Sequence, residues 1–328
     1  MEIIGRQIEF GVATEASRGV AEATADRWMR KVTANVVEKA THVLDDTTRG
    51  VLEDGEARRV VQKYIEGDVE GILHIDLIGW LFANIYGSVV TATVEGTVKS
   101  HTFSLKQNIQ HQSLTLFAKD GSVQQQVFSN AMINTLQINA SIDDYVRFST
   151  SFVASAAADN TDTPSYETEY DFVARDITIK IADTEAGLTS ATALKTKDMS
   201  ITWDQGTVRD HVFGAYNPDD IYNAKLMIEG SFTLNFTDKT FKELYLGNDA
   251  KYMSIVIEGE EVLSGTSKPK IEIILNKVQF MDWNRSGDAN SLVTEPINFR
   301  AFYNATDKKQ STVKLQNVTS AYTNVPSI

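Results

Sequence analysis

The chain has 328 residues, 42% of them hydrophobic, which is enough for one large or two ordinary domains. It contains no cysteine, and this excludes disulfides, thiolate metal sites and a cysteine nucleophile. A formal net charge of −13 makes it a poor grip for nucleic acid, which proteins hold mainly through Lys and Arg against phosphate. An acidic surface favours solubility, and it would also let DNA pass without sticking.

The opening MEIIGRQIEF lacks the basic start and apolar core of a signal peptide. The most apolar stretch, Leu77–Tyr86, is too short for a bilayer, which needs about 20 apolar residues. The expectation is a soluble protein made and kept in a cytoplasm, with no membrane partner. Residues 5–32 read as an extended arm rich in Ala and Gly. An alternating strand follows at 32–40, and a long polar loop at 41–59. Over 61–76 the chain alternates, with Val61, Ile65, Val69, Leu73 and Ile75 on one face. Gln62, Tyr64, Glu66, Asp68, Glu70, His74 and Asp76 take the other, the pattern of a sheet with one dry and one wet side. Asp76 is placed to cap a helix over Leu77–Tyr86, and Gly87 suits the left-handed residue after it. Further strands are predicted at 132–142 and 146–154.

Residues 154–171 are small, polar and acidic, and predict a solvated linker. Asp159, Asp162, Glu167, Glu169 and Asp171 lack the spacing and glycine of an EF-hand calcium loop. Beyond it come strands at 199–203, 271–281 and 296–303 and a second long polar loop at 204–220. An apolar strand face carries Tyr222, Leu226, Ile228, Phe232, Leu234 and Phe236. A second helix follows, capped by Thr237 or Asp238, closed by Gly247 and striped by Phe241, Leu244 and Tyr245.

The two halves repeat. VEGILHIDLIGWLFANIYG matches IEGSFTLNFTDKTFKELYLG in plan, pairing Gly71 with Gly230 and Gly87 with Gly247. INTLQI resembles LNKVQF, and FSTSFVA corresponds loosely to INFRAFY. Gln137 and Gln279 lie closer together than the glycine pairs do, so the second copy has lost residues before that point. The fold class expected is mainly β: two tandem β-sandwich or barrel domains, each with a flanking α-helix. The boundaries read as an arm at 1–30, a first domain at 31–158, a linker at 159–170 and a second domain at 171–328.

No catalytic constellation is legible. GxGxxG, P-loop, GxSxG and HExxH motifs are all missing. His42, His74, His101, His111 and His211 are scattered; His101 and His111 in a hairpin are the nearest approach to a zinc pair. Asp45–Asp46, Asp143–Asp144 and Asp219–Asp220 fall where turn chemistry explains them. The sequons at Asn139, Asn235, Asn284, Asn304 and Asn317 carry no meaning without a secretion signal. No catalytic residue, metal ligand or cofactor is therefore expected, and the chain reads as no enzyme.

In the arm, Phe10, Gly11, Ala13, Glu15, Gly19 and Ala21 fill a pattern "FG.A.E...G.A". It resembles the opening of tail tube (major tail) proteins of long-tailed bacteriophages, and DDTTRGVLEDGEARRVVQKYIEGDVEG resembles that family's long loop and following strand. The resemblance covers the first 90 residues best. It implies tail-tube-like domains, six to a ring, with rings stacked into a hollow tube that conducts DNA. With two copies per chain, three chains supply six domains, so a homotrimer imitates a hexamer.

Lumen-facing candidates are then Glu66, Asp68, Glu70, Asp76 and Glu229. Ring-stacking candidates are Asp45, Asp46, Arg49, Glu53, Arg58, Arg59, Arg209, Asp219 and Asp220, together with the arm at 5–30. Implied partners are further copies of the chain, a tail-tip initiator and a terminator, with DNA passing unbound. The implied location is the virion, after synthesis in the host cytoplasm. Two other classes stay open at this level. One is a carbohydrate-binding or adhesion module using Trp28, Trp203 and Trp283; the other is a hydrolase whose carboxylates form no recognised motif.

Overall fold

The computed structural model describes residues 2–47, 50–55 and 57–322. The first half contributes β1 (Ile8–Thr14), β2 (Arg27–Met29), β3 (Val32–Leu44), β4 (Arg58–Ile72), α1 (Leu77–Tyr86), β5 (Gly87–Glu95), β6 (Val98–Leu105), β7 (Leu114–Asp120), β8 (Gln124–Ser141), β9 (Arg147–Ala154) and β10 (Ala156–Asp159). The second contributes β11 (Ile177–Ala182), β12 (Thr196–Asp204), β13 (Val208–Asp210), β14 (Asp220–Tyr222), β15 (Met227–Asn235), α2 (Thr240–Gly247), β16 (Lys251–Glu258), β17 (Lys270–Trp283), β18 (Thr294–Ala301) and β19 (Ser311–Asn317). The chain is mainly β, as its alternating sequence requires.

The repeat is visible in the strand pairings. In the first half β1 pairs with β7, β3 with β4, β4 with β9, β7 with β8, β8 with β9 and β8 with β10. In the second, β11 pairs with β16, β12 with β15, β15 with β18, β16 with β17, β17 with β18 and β17 with β19. The β5–β6 hairpin stands between α1 and β7, and in the second half α2 runs on to β16 with no hairpin between them. That hairpin accounts for the residues missing from the second copy.

The halves are not separate bodies on a tether. β8 pairs with β12, joining the two four-strand units into one run, β3-β4-β9-β8-β12-β15-β18-β17. Behind it lie two smaller layers: β2-β1-β7-β8-β10 and β11-β16-β17-β19-β6-β5. The long strands β8 and β17 pass from the front layer into a back layer, with register breaks between Ile133 and Thr135 and between Phe280 and Asp282. One continuous apolar core fills the space between, from Phe10 through α1 to Leu315.

Three expectations are corrected. The arm is folded in: β1 runs along β7, and β2 along β1. The stretch 154–171 is no free linker, because β10 pairs with β8 and the residues after it lie across β1 and β2. Among its acids, Asp162 accepts from the Ala25 amide at 2.9 Å and the Trp28 indole at 3.0 Å, and Glu169 accepts from the Arg30 amide at 3.2 Å. The buried Trp28 indole needs an acceptor, and Asp162 supplies it. The helix caps also differ. Asp76 makes no cap bond, whereas Gly87 is left-handed as expected, at φ 72°. In α2 Asp238 accepts from the Thr240 amide at 2.8 Å, and Asn248, not Gly247, is the left-handed residue, at φ 54°.

Candidate functional site

The front layer has one dry face and one wet face. On β4 the buried positions are Ile65 and Val69, while Glu66, Asp68 and Glu70 point the other way. Register carries that wet face across the layer. Asp68 stands between Asn35 and Ser151, and Glu70 between Thr33 and Ser149. Beyond them come Thr135, Gln137 and Asn139 on β8, Ser200 and Thr202 on β12, Glu229, Ser231 and Thr233 on β15, and Asn298 and Arg300 on β18. The face is a field of hydroxyls and amides with scattered charge. Among the described residues no helix covers it, because both helices pack against the core behind the layer.

The acidic candidates differ in how free their charge is. Glu66 takes Lys39 at 2.7 Å and Arg209 at 2.9 Å, and the Lys39 ammonium, chiefly, holds its carboxyl below the usual range. Glu229 pairs with Arg300 at 3.2 Å. Asp68 and Glu70 have no cation within ion-pair distance among the described residues. Asp76 is a correction: it is buried, 3.7 Å from Arg27, and accepts from the Thr319 hydroxyl at 3.2 Å. Alternation had placed it on the wet face, but β4 ends at Ile72 and the chain turns inward before α1. Burial raises its pKa, against the pull of Arg27.

At one end of the layer the β3–β4 arm carries Asp45, Asp46, Glu53, Arg58 and Arg59, all exposed. Apolar side chains accompany them: Leu44, Val51 and Leu52 are also exposed. Arg49 lies outside the described residues. The second loop does not sit apart from this arm. Its Tyr216 carbonyl accepts from the Lys63 amide at 2.8 Å, and Arg209 stacks on the Tyr64 ring, 3.8 Å from its centre. Arg209 is therefore engaged within the subunit, while Asp219 is exposed. Asp220 is a second correction: it is buried and takes Arg18 at 2.9 Å, Gln110 at 2.6 Å and Asn130 at 3.1 Å. Burial acts to raise its pKa, but those hydrogen bonds and the Arg18 charge outweigh it and hold the carboxyl below its usual range.

Sequence reasoning missed the hub beneath this end. Glu15 is fully buried and accepts from the Gly19 amide at 2.7 Å, the Asn130 amide at 2.6 Å, the Ser113 hydroxyl and the Thr115 hydroxyl at 3.3 Å. Three residues on, Arg18 reaches Asp220 and the Ile221 carbonyl of the second half. The arm thus pins β14 against β8. The only sequence signal was the place of Glu15 in the arm pattern, which carries no chemistry by itself.

Among the described residues no three His, Asp or Glu side chains are grouped to hold a metal ion. His101 bonds Thr91 at 2.8 Å and Asn317 at 3.2 Å, and His111 bonds the Ile85 carbonyl at 2.9 Å and the Lys106 carbonyl at 3.0 Å. Burial lowers both pKa values, and both rings are built into the core. Trp28 and Trp203 are buried and cannot line a sugar groove.

The described residues form a mainly β subunit with a broad polar sheet face. The family model for phage tail tube proteins matches residues 5–301, and the chain belongs to that family. Membership makes it a structural virion protein that assembles with itself into a tail tube. No curated protein matches the chain.

Proposed function

We propose that three chains close one ring of the tail tube, that rings stack into a hollow conduit, and that the wet face of the front layer lines it. The observation that carries this reading is the single eight-strand layer built from two like four-strand units. Each chain offers two sixths of a ring, and a head-to-tail contact that closes by rotation supplies the rest. The wet face suits a lining because its hydroxyls and amides carry no charge and its Arg300, Lys39 and Arg209 are paired with Glu229 and Glu66 rather than free for phosphate. Its repelling charge resides in Asp68 and Glu70 more than in Glu66 or Glu229, which are paired with neighbouring cations. DNA then slides through without specific binding.

Stacking falls to the exposed arm residues Asp45, Asp46, Glu53, Arg58 and Arg59, with Asp219 beside them. The folded-in segment at 5–30 braces the subunit instead. A tail-tip initiator and a terminator bound the tube, and synthesis takes place in the host cytoplasm. Native mass spectrometry beside negative-stain electron microscopy, over a range of concentrations and with tail-tip complexes added, tests the reading. Trimers and open-lumen rings or tubes are expected. Six-chain rings would keep the conduit and overturn the stoichiometry.

A further inference from the structure

Resting on that reading, we infer that the junction between neighbouring subunits repeats the junction between the two halves of one chain. In it β17 of one subunit pairs antiparallel with β3 of the next, and Gln279 stands opposite Thr33.

The template lies inside the chain. At the fused junction β8 pairs with β12, and Gln137 stands opposite Thr202. Each of those residues has a counterpart at an outer edge. β17 is flanked by β16 and β18 as β8 is by β7 and β9, and Gln279 faces Arg300 as Gln137 faces Ser149. β3 runs beside β4 as β12 runs beside β15. Thr33 faces Glu70 there, as Thr202 faces Glu229. One step on, Val32 faces Gly71 as Ile201 faces Gly230.

Both edges are open. Among the described residues β3 pairs with β4 alone, and β17 beyond Val278, the last residue it pairs with β16, pairs with β18 alone. An open edge presents unpaired amides and carbonyls that a second strand can complete. The transferred register also keeps faces matched. It sets Gln279 against Thr33 on the wet side and Phe280 against Val32 on the dry side, as Ile138 stands against Ile201.

The helices give an independent sign. All ten residues of α1 are buried, in part because the second half reaches over it: Trp203 of β12 meets Phe82 with ring centres 5.4 Å apart and donates to the Tyr86 hydroxyl at 3.0 Å. α2 packs on β17, and among the described residues no strand placed like β12 covers it. It leaves Tyr245 at 38% and Leu246 at 69% exposure. The β3 strand of a second copy, bearing Ala34 where β12 bears Trp203, is the occupant that fits this side.

The chain has no cysteine, so a Thr33→Cys/Gln279→Cys double variant carries only the two thiols under test. Directly opposite antiparallel residues have Cα atoms about 4.5–5.5 Å apart, inside the range a disulfide spans. Within one chain the two positions lie at opposite edges of eight strands, roughly 30 Å apart at about 4.8 Å per strand, so a bond inside one molecule is excluded. Oxidising the assembled variant is expected to give covalent dimers and trimers on a non-reducing gel, with little from Asn35→Cys/Gln279→Cys. Rings seen by electron microscopy that cross-link through the shifted pair instead would overturn this junction and leave the ring reading standing. A chain that stays monomeric even with tail-tip complexes would remove both. Leu246→Asp serves as the second variant: its thermal unfolding should match wild type, because the side chain is exposed in the free subunit, while its rings are lost. Rings that persist in Leu246→Asp would overturn the role given to α2.

Discussion

Gly71 and Gly230 show why the two halves share a Glu-Gly step. A Cβ on Gly71 would come closer than 3.0 Å to the Lys31 carbonyl on the neighbouring chain segment, and one on Gly230 would press the Ser200 carbonyl and the Phe299 ring. Backbone cannot step aside as a flexible side chain can, so Gly71→Ala and Gly230→Ala should each cost about 1–3 kcal/mol in urea denaturation. Glu15 makes a different demand. Burial raises its carboxyl pKa above the ordinary value of 4.5, against the hydrogen bonds that lower it. The folded state then holds that proton more readily than the unfolded chain, so this site gains stability as pH falls toward 4.5 and loses it as pH rises through the raised pKa. Against a Glu15→Gln reference, the stability of wild type should therefore improve on acidification from neutral pH. Asp220 runs the other way. Its lowered carboxyl contributes stability above its unfolded value of 3.8, and that contribution is lost as pH falls through the folded pKa. Glu15→Ala leaves the buried Asn130 amide, the Ser113 and Thr115 hydroxyls and the Gly19 amide without their acceptor, and about 3 kcal/mol should disappear from the unfolding free energy.

At the scale of elements, strands and helices were legible because alternation and 3.6-residue spacing are local properties. The helix Leu77–Tyr86 falls where expected, and the paired motifs INTLQI and LNKVQF lie on β8 and β17. Segments whose structure is set by distant partners were not legible. The stretch 160–171 has a linker's composition, yet Asp162, Tyr166 and Glu169 find donors or acceptors on residues 9–30, which sequence spacing cannot show. Asp162→Ala should release it, costing about 1–3 kcal/mol and converting a protease-resistant strap into a preferred cleavage site in limited proteolysis. The ends of α2 illustrate the same limit. Gly247 looked like the terminator, but the left-handed conformation falls one residue later, on Asn248. Asn tolerates that conformation and Ala does not, so Asn248→Ala should lower stability by about 1 kcal/mol while Asn248→Gly stays near wild type.

For the whole molecule, a repeated sequence suggests two domains that fold alone, and the contacts between halves argue otherwise. β8–β12 joins the front layer, and β6 of the first half pairs with β19 of the second. Trp80 and Tyr322 meet edge to face at 4.9 Å, Tyr86 donates or accepts with Ser311 at 2.8 Å, and Arg18 is ion-paired with Asp220. The Trp80 and Tyr86 contacts tie α1 to the second half, and α1 belongs to one core with residues of both halves. Losing either half would strip apolar surface from the other at about 25 cal/mol per Å² and leave an open strand edge. The halves are therefore coupled far beyond the marginal stability of either alone. Calorimetry of the unassembled subunit should accordingly show one transition, with equal calorimetric and van't Hoff enthalpies. Two resolved transitions would mean that the fused junction is no stronger than a contact between separate subunits. Trp203→Ala, which removes the largest side chain at that junction, is the variant expected to split the single peak.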